Sequence, residues 1–326
     1  MFRYIVKRVL LTLVVMLGVV TVAFILNELT PGDAATIEAG NGATPEQIQA
    51  LREALGLDRP VLVRYAEYVF NLFTKADFGT SYSTKQPVLN EIMARFPNTI
   101  MLAVLGVLLT VCIGVPLGII AAVKQNTLLD NATVTISLIG VSVPQFWLAL
   151  LLISVFAVKL NWLPAVGISG PSSWILPAFT LGFGGAATVA RTTRSSMLEV
   201  IRQDYMQTAK AKGQSAFIVI IGHGLRNALI PIVTVIGNQL GHLLGGATLV
   251  ESVFGLPGLG KYLIDAVYAR NGAAVQGCVV FMALIFSVVN LCVDLLYTAI
   301  DPALKTMFKS KHRRPARARR GVTENG

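Results

Sequence analysis

Six long apolar runs constrain this chain more than anything else in it. They cover residues 9–29, 101–123, 134–158, 174–190, 228–250 and 273–293. Five exceed 20 residues, and the shortest, 174–190, has 17. A bilayer core of about 30 Å is crossed by about 20 helical residues rising about 1.5 Å each. The expectation is an all-α polytopic membrane protein with six transmembrane helices, the fourth short and continuing past its apolar limit. A soluble protein with buried helices is the competing reading, and composition opposes it. Hydrophobic residues make up 54% and charged residues only 13%, where a soluble domain carries about 25% charge. The first run follows the basic stretch "MFRYIVKR", as the apolar part of a signal peptide would. It is too long for that and ends in "ELTPGD", not in a small-residue cleavage site. It reads as a retained helix. Cys112, Cys278 and Cys292 all fall inside apolar runs without Cys-x-x-Cys spacing and read as small buried hydrophobes.

Lys and Arg orient the helices. With six spans both termini lie on one side. That side holds Arg3, Lys7, Arg8, Lys124, the segment after the fourth run and the tail, eighteen basic residues in all. The other side holds nine, six of them in the long 30–97 loop beside eight acids, and long loops weigh little in the positive-inside rule. The eighteen-residue side is therefore expected in the cytoplasm. Most of the net charge of +10 sits in the tail "KTMFKSKHRRPARARRG". Such a juxtamembrane stretch is attracted to anionic headgroups, by about 1 kcal/mol per charge. Apart from Phe308 it has no aromatic interleaving, so membrane lipids and not nucleic acid are its expected partner. The chain divides into 1–97, a first helix plus a partly helical external loop; 98–300, five further helices with a cytoplasmic segment at 191–227; and the basic tail 301–326.

On this topology "FGLPGLGKYL", residues 254–263, falls outside the cell. Gly255, Gly260 and Lys261 have the spacing of a phosphate-binding loop, but Tyr262 stands where a magnesium-ligating Ser or Thr is required. No strand precedes it and no cytoplasmic ATP reaches it. The glycines and proline are expected to shape a re-entrant turn or short helix. In the external loop, Thr44, Pro45 and Gln47 have the pattern of a capping box, with Gly56 as the stop. A second helix is expected from Pro60.

The segment between the fourth and fifth runs has its own start and stop signals. Asp204 is an expected N-cap with Gln207 three residues on, Tyr205 to Lys212 form the body, and Gly213 ends it. Ser215 is suited to cap the next helix. A helix of eight residues, about 12 Å long, is unstable alone and needs a surface to lie on. Small Thr208, Ala209 and Ala211 permit close approach, with Tyr205 and Met206 as knobs.

These residues resemble a known signature. Permeases of ABC importers have Glu-Ala-Ala, three residues, then Gly on a cytoplasmic coupling helix; here Gln207-Thr208-Ala209 and Gly213 hold those positions. The departures at the first two match the dipeptide/oligopeptide/nickel branch, in which the segment reads D-Y-x-x-T-A-x-A-K-G. Asp204, Tyr205, Thr208, Ala209, Ala211, Lys212 and Gly213 all fit it. "MFRYIVKRVLLTL", "TPGD", "LGLDRP", "DFGTS", "RFPNT", "VPQFWLALLL", "LPAFTLG", "HGLRNALIP" and "ESVFGLPGLGKYLIDAVYARN" resemble the same branch, in order, over more than 250 residues. The resemblance implies a type I ABC importer in a bacterial inner membrane. It implies a second homologous permease subunit, two cytoplasmic ABC ATPase subunits on the coupling helices, and an extracytoplasmic solute-binding protein. The chain itself is then no enzyme and uses no cofactor or metal. Di- or oligopeptides are the implied cargo, with nickel, glutathione-like solutes or oligosaccharides as alternatives.

Two other classes compete. A secondary transporter or channel would call for several intramembrane acids, but Asp294 is nearly alone, with Glu28 at an outer end, and no inverted repeat is visible. An intramembrane enzyme would need a catalytic constellation, but His223, His242 and His312 form no His-Glu-x-x-His and no Gly-x-Ser-x-Gly occurs. In the fifth run Gly237, Gly241 and Gly245 share one face and are expected to pack a neighbouring helix closely. His242 has two readings, pore lining or a polar helix contact. Asp294 also has two, a cytoplasmic vestibule or an ion pair with Arg. No substrate site is assigned to any residue.

Overall fold

The computed structural model describes residues 2–30, 34–40 and 42–300. The tail 301–326, residues 31–33 of "TPGD" and the surroundings of His242, Gly245 and Asp294 lie outside the described residues. In chain order the helices are α1 (Phe2–Leu29), α2 (Ala34–Ala39), α3 (Pro45–Ala54), α4 (Val61–Lys75), α5 (Val88–Val123), α6 (Leu128–Ser142), α7 (Gln145–Leu152), α8 (Ile175–Ile201), α9 (Asp204–Ala211), α10 (Arg226–Val253), α11 (Leu259–Tyr268) and α12 (Gly272–Ile300). Among the described residues five helical spans are long and apolar enough to cross a bilayer, and a sixth arises if α6 and α7 are taken together.

That sixth span is not the single helix expected over 134–158. The chain bends by 102° between α6 and the α7 segment, which continues as a π-helical stretch over Ile153–Lys159. Pro144 supplies the cause. It lacks an N–H, and its ring drives the preceding residue out of the helical region. Val143 accordingly has φ −75° and ψ 123°.

α5 also departs from expectation. It starts at Val88, ahead of the apolar run at 101, so a domain boundary at 97 would cut it. At 36 residues it measures about 54 Å, well beyond a hydrocarbon core. The polar stretch containing Glu91 and Arg95 is thus helical without being apolar. α8 likewise runs on to Ile201, past its apolar limit at 190. The loop between α1 and α5 follows the sequence closely. Thr44 Oγ1 accepts from Gln47 N–H at 3.4 Å while Gln47 Oε1 accepts from Thr44 N–H at 3.0 Å. Gly56 has φ +67°, and α4 follows Pro60.

The most extensive helix contact is α5 against α8. Small residues repeat every fourth position on both helices, Gly106, Thr110, Gly114 and Gly118 on α5 and Gly182, Ala186 and Ala190 on α8. A Cβ on Gly118 would lie 2.5 Å from the Ala190 carbonyl oxygen; on Gly114, 2.7 Å from that of Ala186; on Gly182, 2.7 Å from that of Gly106. The backbones therefore meet almost directly, as membrane helices do where no side chain intervenes. Of the expected glycine face on α10, Gly241 does approach α12, where a Cβ would lie 2.9 Å from Phe286. Cys278 is buried, whereas Cys112 and Cys292 are exposed on this chain. They correct the expectation of three buried thiols, because the faces of α5 and α12 that carry them are left uncovered. Leu10, Val14 and Leu26 on α1 are exposed in the same way, as lipid-facing residues are.

Candidate functional site

α9 sits where α8 ends and the stretch leading into α10 begins. Gln203, in extended conformation (φ −76°, ψ 147°), is the N-cap and Asp204 is the first helical residue. The expected cap at Asp204 is thus displaced by one position. Gln203 makes no side-chain cap, and Asp204 instead places its charge in the first turn, where the helix dipole favours an anion. Thr208 Oγ1 donates to Asp204 O at 3.1 Å. Gly213, with φ +76° and its N–H donating to Lys210 O at 3.0 Å, closes the far end. The next helical stretch starts with Ile218 N–H donating to Ser215 Oγ at 3.4 Å and runs as a π-helix over Ile218–Leu225 into α10.

The two faces of α9 differ. Met206 (1% exposed) and Ala209 (9%) are buried against Val219, with Val200 and Ile201 of α8 alongside. Gly224 makes room there: a Cβ on it would lie 3.2 Å from Met197 Cε and 3.3 Å from Met206 Cε. Burying a methionine contributes about 1.5–3 kcal/mol, enough to seat a helix that would not persist alone. This corrects the expectation that Met206 and Ala209 face outward; both belong to the seat. Asp204, Tyr205, Gln207, Thr208, Ala211, Lys212 and Gly213 remain exposed, with Phe217 and Ile218 beside them. His223 is engaged with the Gln214 side chain at 2.8 Å.

An ion pair that sequence reasoning missed fixes α8 just above this site. Arg194 Nη2 donates to Asp130 Oδ2 at 2.8 Å and its Nε to Oδ1, while Asn126 N–H donates to the same Oδ2 at 2.9 Å. The Asp130 side chain is 2% exposed. α6 is thereby tied to the α8 extension that carries α9.

At the other end of α10 the phosphate-loop look-alike is already occupied. Glu251, 1% exposed, accepts at Oε2 from Gly260 N–H (2.8 Å) and Lys261 N–H (3.1 Å), and at Oε1 from the Thr99 hydroxyl (2.7 Å). Thr99 in turn accepts from Leu259 N–H at 2.8 Å. The backbone donors that would cradle a phosphate instead hold a carboxylate of the same chain, at the start of α11. Gly255 takes φ +60° to make the turn, and a Cβ on Gly258 would lie 2.2 Å from the Glu251 carboxyl carbon. The expected tight turn and short helix are present, and this sealed turn leaves no phosphate site.

Residues 114–306 match the family described as binding-protein-dependent transport system inner membrane component, and residues 1–103 match its N-terminal counterpart. The chain belongs to this family. The glutathione transport system permease protein GsiC of Escherichia coli (strain K12) is 43% identical to this chain over 305 residues, covering 94% of this chain and 99% of that protein. A protein named for peptide transport in Brucella abortus (strain 2308) is 41% identical over 313 residues, with the same coverage. The inward-facing MetNI methionine ABC transporter shares the fold, with a TM-score of 0.56 at 19% identity over 65% of this chain and 97% of that one. The chain is thus an all-α, multi-pass permease with the architecture of an ABC importer membrane domain.

Proposed function

We propose that this chain is one of two pore-forming subunits of an ATP-driven importer of di- or oligopeptides, with both termini in the cytoplasm and α9 as its coupling helix. A second homologous permease, two ABC ATPases and an external solute-binding protein complete the assembly. Peptide cargo follows from the relatives; glutathione, itself a tripeptide, is the second reading, favoured by the 43% identity to a glutathione permease. The observation that carries the proposal is the division of α9 into a seated face and an open one.

Force reaches the pore through rigid parts. ATP binding draws the two ATPases together and carries the exposed face of α9. Met206 and Ala209 pass that displacement to α8 and to the start of α10, and the Arg194–Asp130 pair passes it to α6. A nucleotide shifts such an equilibrium only by binding the two states differently, so contact at the open face is indispensable. Tyr205→Asp and Thr208→Trp alter that face without touching the seat. Both variants are expected to insert at normal levels, to lose the co-purifying ATPases, and to reduce uptake at least tenfold. Normal uptake by correctly inserted variants overturns the proposal.

A further inference from the structure

Two spanning helices hold α4 at depth. Near its start the Tyr65 hydroxyl lies 2.6 Å from the Thr21 hydroxyl. The Phe24 ring packs on Tyr65 and Tyr68, with centroids 5.4 and 6.3 Å apart. Thr21 stands eight residues before Leu29, about 12 Å down α1. Just past the end of α4 the Phe78 ring packs on Phe281, centroids 6.1 Å apart. Phe281 stands nine residues after Gly272, about 13 Å down α12. Both ends of α4 therefore meet the apolar runs 9–29 and 273–293 well inside their limits. At about 100° per residue the α4 side chains fall into three sectors. Tyr65, Tyr68 and Leu72 form the seated one. Arg64, Glu67, Asn71 and Lys75 form a polar one. Leu62, Ala66, Phe70 and Phe73 form the third, which is apolar and which the described residues leave uncovered. In it Leu62 is 81% exposed, Phe70 62% and Phe73 50%.

A contiguous apolar stripe is unusual in water and ordinary in lipid. Its position decides between the two. Leu62 and Phe73 stand nearly opposite Asn71 around the helix, so a polar sector turned to water turns the stripe towards hydrocarbon. The seated sector points at α1 and α12, which leaves the stripe aimed downwards and away from them. Val22, Ile25 and Leu29 of α1 are exposed over the same depth, so hydrocarbon already surrounds α1 at this level. A protein approaching from water would meet the polar sector instead. A helix with Phe and Leu on one side and charge on the other lies in the membrane plane, its apolar face about 5–10 Å into the headgroup boundary. The depth set by Thr21 and Phe281 agrees with that. We propose that α4 is such an interfacial helix. Its Leu62, Ala66, Phe70 and Phe73 face docks on phospholipid acyl chains of the leaflet that meets the Leu29 end of α1, with Glu67 and Lys75 among the headgroups. The loop between α1 and α5 is then part of the embedded body and not a cap standing in water.

Spin labels test this in phosphatidylcholine discs that hold the full-length chain with any subunits that co-purify. One label at a time is attached through Leu62→Cys, Phe73→Cys or Glu67→Cys, in a chain with Cys112, Cys278 and Cys292 replaced by alanine. Oxygen concentrates in hydrocarbon and nickel ethylenediaminediacetate stays in water, so the ratio of their collision rates reads depth. The ratio is expected to be about tenfold higher at Leu62 and Phe73 than at Glu67, as for side chains about 5–10 Å into the boundary. A ratio at Leu62 and Phe73 as low as that at Glu67 places the stripe in water and overturns the proposal. Labels that neither reagent reaches overturn it too, because a protein surface then covers the stripe. A high ratio at only one of the two shows a helix standing on end, and overturns it as well. If either variant fails to fold, Phe70→Cys takes its place. The readout involves no nucleotide, so the uptake defects expected of the Tyr205 and Thr208 variants stand or fall separately.

Discussion

Asp130 and Arg194 show how much a single missed pair can decide. A buried ion pair robbed of one partner loses about 3–5 kcal/mol when fully desolvated. The Arg194 side chain is 25% exposed, so water replaces part of the loss, and Arg194→Ala is expected to be destabilising by about 1–3 kcal/mol. Replacing both partners, as in Asp130→Asn with Arg194→Gln, removes the uncompensated charge and is expected to recover part of that stability. Thermal unfolding in detergent would show it; a double variant no more stable than Arg194→Ala would refute the pairing. The pair was invisible in the sequence because Asp130 and Arg194 stand 64 positions apart and neither belongs to a recognisable motif. Glu251 was hidden in the same way, since its partner Thr99 comes from α5. The caps at Thr44 and Gly56 were legible because every atom involved lies within a few residues. Ala209 was legible as a member of the signature but not as a seated residue, because the signature does not say which side of the helix faces home. Enlarging Ala209 therefore tests the seat on Val219 and not the contact with a motor.

Helix length and helix path were less readable than helix existence. Hydropathy finds what lipid will tolerate, not where a helix begins. α5 therefore started 13 residues earlier than its apolar run, with Glu91 and Arg95 inside it. The break at Val143–Pro144 was written in the residues, yet an apolar count passes over a change of direction. The small residues that let α5 and α8 touch were equally present, at a spacing of four. Their close approach makes a clear prediction. Gly118→Leu places atoms where the Ala190 carbonyl and Thr193 already are, and overpacking of this kind costs about 1–3 kcal/mol or more. Gly18→Leu on α1 is the control, since nothing lies within 4 Å of a Cβ there. The folded yield of the Gly118 variant is expected to fall sharply while that of the Gly18 variant holds. Equal yields would show that α5 and α8 stand further apart.

The role proposed for α9 makes sense only if α9 faces the compartment that holds the nucleotide. Chain direction puts α9 and the Glu251 turn at opposite ends of the helices, since α9 joins the far end of α8 to the start of α10, while the turn follows the end of α10. Charge supplies the sign, since the six-span reading of the sequence counts eighteen Lys and Arg on the α9 side against nine on the other. Exposed tyrosines allow a direct check. Tyr205 lies on α9, 43% exposed, and Tyr268 at the end of α11, 84% exposed. In a chain with Cys112, Cys278 and Cys292 replaced by alanine, Tyr268→Cys is expected to react with a membrane-impermeant maleimide in intact cells. Tyr205→Cys is expected to react only after the membrane is opened, and less so when ATPases are bound over it. The reverse pattern would put α9 outside, beyond the reach of any nucleotide-driven motor.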